Sequence, residues 1–112
     1  MHEMKLKPRY YDFIKSGTKR IEIRLNDEKR KIIKIGDTIR FFKEPELEEY
    51  FDTKVVNLYK YNSLVDMFND FDISILADKS ISKEELINIF EEFYTKEKQK
   101  EYGVLGIEIE II

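Results

Sequence analysis

With 112 residues, 42% of them hydrophobic and including seven Tyr and eight Phe, the chain can bury one core, and a single domain over residues 1–112 is expected. It has no Cys and no apolar run long enough to cross a bilayer, which excludes disulfide and thiolate chemistry and points to a soluble, cytoplasmic protein without a membrane partner. The net charge of −3 is unevenly spread: residues 1–43 hold 13 Lys and Arg against 6 Asp and Glu, and residues 44–112 hold 7 against 17, so a half that suits phosphate adjoins one that folds back onto it or suits a basic protein partner.

Glu3 to Leu6 reads as an opening strand. Pro8 can begin a helix because the amide it lacks falls among the unpaired first-turn donors; Phe13 and Ile14 give that helix its buried edge, and Gly17 supplies a left-handed stop. A strand over Lys19 to Leu25 follows at once. After the charged segment Asn26 to Lys31, the stretch Ile32-Ile33-Lys34-Ile35 reads as strand-forming. Gly36-Asp37 is then a turn into Thr38 to Phe42, with Ile39 and Phe41 on one face. Glu44 to Glu49, with Pro45, is an acidic loop, and Tyr50 to Tyr61 has the β-branched and aromatic content of a long strand. Ser63 starts a helix, with Asp66 three residues on and Leu64, Met67 and Phe68 on its buried side. Ser82 and Glu85 form a full capping box, after which Leu86, Ile89, Phe90 and Phe93 recur at helical spacing and are assigned to the core. Thr95 to Tyr102 gives a last helical turn or two ended by Gly103, and Ile107, Ile109 and Ile111 alternate with Gly106, Glu108 and Glu110 in a closing strand. Early strands, central helices and a returning C-terminal strand predict an α+β domain: a small curved sheet or barrel with helices packed on one side.

The chemistry concentrates at Lys19 to Arg24. Period two places Ile21, Ile23 and Leu25 toward a core and turns Arg20, Glu22 and Arg24 outward as a cation-anion-cation row, with Lys19 at its start. As a catalytic group Lys19 needs a pKa lowered by burial or by Arg20 and Arg24, and then acts as base or nucleophile. As a binding group it stays protonated, which Glu22 favours, and grips a phosphate or a carbonyl. The row also fits a cross-strand ion-pair ladder on a solvated face. His2, beside the first strand, is a further candidate, and Asn26, Glu28 and Arg30 extend the row into a charged turn that can reach over a cleft. Lys29, Arg30, Lys31 and Lys34 suit backbone phosphates. Tyr50, Phe51, Tyr59, Tyr61, Tyr94 and Tyr102 include candidate platforms for stacked bases, with Tyr102 expected at the site. No cofactor or metal is expected: His2 is the only imidazole, and no calcium-loop spacing is present.

The run Phe13 to Arg24, with its G-x-K-x-x-E-x-R core of Gly17, Lys19, Glu22 and Arg24, the later Gly36-Asp37-Thr38-Ile39-Arg40-Phe41, the Tyr59 to Met67 segment and the ending Tyr102-Gly103-Val104-Leu105-Gly106-Ile107 together resemble the ASCH domain of the PUA-like superfamily. The resemblance covers nearly the whole chain. It implies a PUA-type β-barrel with a cleft, lined by that motif, for RNA or a modified nucleoside. Some members of that family are similar in motif and remove the acetyl group from acetylated cytidine, using a Lys in the Gly-x-Lys position, a Thr three residues on and a downstream Glu. Lys19 matches that Lys, and Glu22 stands in place of the Thr.

The leading expectation is a domain that binds RNA or a nucleoside-like small molecule, with Lys19 and Arg24 as cationic contacts and Glu22 as the acceptor that orients the ligand. The alternative is a small hydrolase acting on a modified nucleoside or on RNA, with Lys19 as base and Glu22 as its charged partner. A third is a protein-interaction module whose acidic C-terminal half meets a basic partner.

Overall fold

In the computed structural model, which describes residues 1–112, the chain opens with strand β1 (His2–Leu6) and turns directly into helix α1 (Pro8–Lys15). Pro8 sits in the first turn, where its missing N–H removes no helical hydrogen bond, and Lys15 in the last turn complements the helix dipole. Gly17 follows at φ 86°, a conformation that residues with a Cβ avoid, and the chain passes into β2 (Ile21–Leu25). Strands β3 (Thr38–Lys43) and β4 (Tyr50–Tyr61) pair antiparallel across the acidic loop.

Four helices separate β4 from the last strand: α2 (Leu64–Asp70), α3 (Ile73–Leu76), α4 (Lys83–Glu91) and α5 (Lys96–Tyr102), followed by β5 (Val104–Ile111). Each begins at a side chain that accepts an otherwise unpaired amide: Ser63 from Asp66 N, Asp72 from Ser74 N, Ser82 from Glu85 N and Thr95 from Lys98 N. Helix α3 is absent from the sequence reading, because four residues are too few to show a helical period.

The sheet runs β1-β3-β4-β5-β2, with β1 parallel to β3 and every other pair antiparallel. It is an α+β fold whose sheet curls into a half-barrel with helices packed on one side. Its edges are β1 and β2, and a side chain reaches from one to the other: Arg24 Nη2 donates to Lys5 O at 3.0 Å. One apolar cluster joins Met4, Leu6, Phe41, Val55 and Ile107 of the sheet to Tyr11 and Ile14 of α1. A second joins Ile21, Ile23 and Val104 to Leu64, Met67, Leu76, Leu86 and Phe90 of the helices. Gly106 lets α2 come close to the sheet, since a Cβ there would lie 3.1 Å from Met67 Cε and 3.3 Å from Ile21 Cγ2.

Two local expectations are corrected here. Residues 32–35 form no strand. They belong to a chain of turns in which Arg30 N and Lys31 N donate to Asp27 O and Ile33 N to Arg30 O, and Ile32 and Ile35 are more than 60% exposed. The edge of β3 that such a strand would use is already taken by β1. Phe93, placed on the buried stripe, lies beyond the end of α4 and is 47% exposed. No helix is long and apolar enough to cross a membrane.

Candidate ligand cleft

The alternation along β2 is present, but its charged face is not wet. Glu22 and Arg24 stand opposite Ile107 and Leu105 of β5, so they share the face of the first apolar cluster, while Ile21 and Ile23 belong to the second. Covered on both sides, the strand leaves Glu22 only 4% exposed and Lys19, just before it, 1%. The solvated ladder is therefore replaced by a buried ionic cluster, and Lys19 is not an exposed cationic contact.

Lys19 Nζ donates to Ile21 O at 2.5 Å and to Leu76 O at 2.6 Å, and lies 3.5 Å from Glu22 Oε1. Three acceptors surround one nitrogen, which matches the three N–H bonds of an ammonium and favours the protonated form. Burial pushes the Lys19 pKa below the ordinary lysine value, and Glu22 opposes that shift. Because Leu76 ends α3 and Arg20 N donates to Ile75 O at 2.8 Å, the approach to β2 is tied to α3 at two consecutive residues.

Glu22 Oε2 accepts from Arg24 Nε at 2.9 Å and lies 2.8 Å from Arg24 Nη2, while Oε1 faces Lys19. Burial alone would raise its pKa; Arg24 and Lys19 outweigh burial and hold the carboxyl below the usual range. Arg24 in turn is desolvated but kept charged by Glu22, which moves its pKa upward. The result is a fixed carboxylate between two cations, preorganised before any ligand arrives.

Glu22 and Arg24 line a cleft of about 320 Å³ between β1, α1, β2 and α4. Its aromatic side is a row of three rings. Tyr10 and Phe90 are stacked with centroids 5.9 Å apart and planes at 26°, and Phe90 and Tyr94 with centroids 6.1 Å apart and planes at 11°. Burial raises the pKa of both tyrosines, so their hydroxyls stay protonated. Lys5, Lys7 and Arg9 are exposed residues of the same lining, and Lys7 Nζ sits 4.7 Å over the Phe93 ring. The cleft thus offers an ionised acceptor, a flat aromatic side and three solvent-facing cations.

The other sequence candidates lie elsewhere. His2 bonds Asp37 at 2.8 Å and does not line the cleft, and this bond is the main cause of the lowered Asp37 pKa. Asn26 and Tyr102 line a separate, polar cleft of about 770 Å³ with residues of α2 and α5. Glu28 is exposed and paired with Lys31 at 3.5 Å. Arg30 pairs loosely with Asp27 at 3.6 Å and lines a neighbouring cleft that also contains Arg24. No group of three or more His, Asp or Glu side chains is placed to hold a metal ion. Sequence reasoning passed over Tyr10, Lys7 and Arg9, and it gave Phe90 to the core alone. The spacing of Pro8 from Arg9 and Tyr10 was the available signal, since a helix start fixes which first-turn side chains can turn toward the adjoining strand.

The chain is similar to the hypothetical protein PH0355, whose crystal structure superposes with a TM-score of 0.86 at 39% identity, covering 98% of this chain and 97% of that one. It is likewise similar to protein PF0455 from Pyrococcus furiosus, with a TM-score of 0.76 at 35% identity over 99% of this chain and 96% of that one. An ASCH protein from Zymomonas mobilis shares the fold, with a TM-score of 0.68 at 8% identity over 96% of this chain and 66% of that one. No curated protein matches the chain in sequence. The family model of the ASCH domain matches residues 4–112, which takes in every strand residue beyond Glu3 and the whole buried cluster, and the chain therefore belongs to the ASCH domain family.

Proposed function

We propose that the cleft binds the base of an RNA nucleotide or of a modified nucleoside. The observation that carries this reading is the Glu22 carboxylate, buried, ionised and opening on an aromatic row. An ionised carboxylate only accepts hydrogen bonds, so it selects a ligand edge that presents N–H donors, such as an amino or imino group of a nucleobase. The Tyr10, Phe90 and Tyr94 rings supply flat apolar surface of the kind on which bases stack, and Lys5, Lys7 and Arg9 suit the attached phosphates. Lys19 is a positioning residue here: it fixes Glu22 without touching the ligand. Membership of the ASCH family, which is generally RNA-binding-like, supports the same reading.

With no Trp in the chain, fluorescence comes from its seven tyrosines, of which Tyr10 and Tyr94 line the cleft. Titration with ribonucleosides, acetylated cytidine and short RNA oligomers is expected to quench it saturably, and Glu22→Gln to weaken binding at least tenfold. Absence of binding by any of these probes overturns the proposal. Chromatography of the same mixtures measures turnover, and steady release of cytidine and acetate from acetylated cytidine would move the function from binding to hydrolysis.

A further inference from the structure

A second cleft, of about 750 Å³, shares Lys5 and Arg24 with the first. Lys29, Arg30 and Glu3 supply the rest of its charge, and Met4, Phe42 and Leu47 its apolar surface. Three of its four cations, Lys5, Lys29 and Arg30, are poorly satisfied within the chain. Lys5 and Lys29 are exposed and belong to none of the molecule's ion pairs. Arg30 Nε is buried without an acceptor, and its guanidinium comes no closer than 3.6 Å to Asp27. Arg24 commits Nε and Nη2 to Glu22 and to Lys5 O, which leaves Nη1 uncommitted at the boundary of the two clefts. Leu47, also on this cleft, has φ 61°, the one positive φ outside glycine, a departure of the kind that concentrates at ligand sites.

From these features we infer that the second cleft is a subsite for a phosphate ester carried by the ligand, with Lys29, Arg30 and Arg24 around the phosphate and Phe42 and Leu47 beside whatever follows it. The inference rests on the reading of the first cleft as the base site. Charge favours the second: the first cleft sets Lys5, Lys7, Arg9 and Arg24 against the two carboxylates of Glu22 and Glu44, whereas the second sets Lys5, Arg24, Lys29 and Arg30 against Glu3 alone. A small rotation of Arg30 toward an anion would give its Nε the acceptor it lacks, and a guanidinium is suited to holding phosphate oxygens in pairs.

The test compares ribonucleosides, their monophosphates, the corresponding dinucleotides and inorganic phosphate, by calorimetry and by amide shifts in NMR, at low and high salt. Monophosphates are expected to bind at least tenfold more tightly than nucleosides at low salt, with the advantage shrinking as salt rises. Lys29→Glu, at an exposed position, is expected to remove most of that advantage and leave nucleoside affinity unchanged, and Lys29→Gln combined with Arg30→Gln to remove it fully. Equal affinity for nucleoside and monophosphate, or an advantage that survives Lys29→Glu, overturns the inference while leaving the base site standing. If nucleosides shift no signals near Tyr10 and Tyr94 but phosphate shifts Lys29 and Arg30, the base site fails, and the inference of a phosphate ester on the same ligand falls with it. Dinucleotides binding more tightly than monophosphates make the phosphate an internal linkage; equal binding makes it terminal.

Discussion

Two Arg–carboxylate pairs in this molecule have nearly the same bond lengths and different weight. On β2, Arg24 reaches Glu22 at 2.9 and 2.8 Å; across β3 and β4, Arg40 reaches Asp52 at 2.8 and 3.0 Å. The first pair is 16% and 6% exposed and has a buried ammonium behind it, whereas the second is 27% and 32% exposed and has a half-exposed Tyr50 ring 4.1 Å from its guanidinium. A carboxylate stripped of its partner in the second pair is simply hydrated, but in the first it is left as a charge in the interior. Bond lengths do not distinguish these cases; the surroundings do.

Lys19→Met is expected to give the largest effect. It leaves Ile21 O and Leu76 O without their donor and Glu22 with one cation, and the loss of a buried ionic partner costs about 3–5 kcal/mol. Urea denaturation is the measure, and wild-type stability in this variant would show that the cluster does not hold α3 against β2. Glu22→Gln, nearly isosteric, should cost about 3 kcal/mol through the stranded cations. It should also lower ligand affinity, which Lys19→Met tests less cleanly because of its larger folding defect.

Acid sharpens the comparison further. The folded-state pKa of Glu22 lies below its unfolded value, so between the two the unfolded chain binds more protons. Its contribution is then complete above the ordinary carboxylate value of about 4.3 and is lost as pH falls through the lower folded value. Asp37, Asp52, Asp72 and Asp78 are shifted the same way by their hydrogen-bonding partners and remain in Glu22→Gln. Subtracting the two stability–pH curves therefore isolates Glu22. The wild type should fall more steeply than the variant below about pH 4, and parallel curves would mean that Glu22 is not held ionised by its neighbours.

How much of this was legible in the sequence depends on the range of the signal. Caps and stops are local, and Pro8, Gly17, Ser63, Ser82 and Gly103 mark element ends where the structure has them. The face of β2 is a different matter. Alternation states that Glu22 and Arg24 share a side, but whether that side meets water is decided by β5, α3 and α4, which lie about 50 residues or more further along the chain. The same holds for the cleft: Tyr10 and Phe90 are 80 residues apart, and no period connects them. Ile32 to Ile35 failed for a related reason, since its composition favours a strand but the sheet edge it needs belongs to β1.

The smallest expected effect is that of Arg40→Ala. Its side chain and that of Asp52 are both hydrated enough that breaking the pair exchanges one set of water contacts for another, and the entropy of holding a long side chain in place is recovered. The Asp52 pKa, lowered chiefly by the Arg40 hydrogen bond, should return toward the ordinary value, visible by NMR titration. The urea midpoint at neutral pH should not move, and added salt should affect variant and wild type alike, because an exposed pair is already screened. If Arg40→Ala proved as destabilising as Lys19→Met, burial would not be what separates the two pairs. The ionic cluster beneath the cleft would then lose its claim to a special place in the fold.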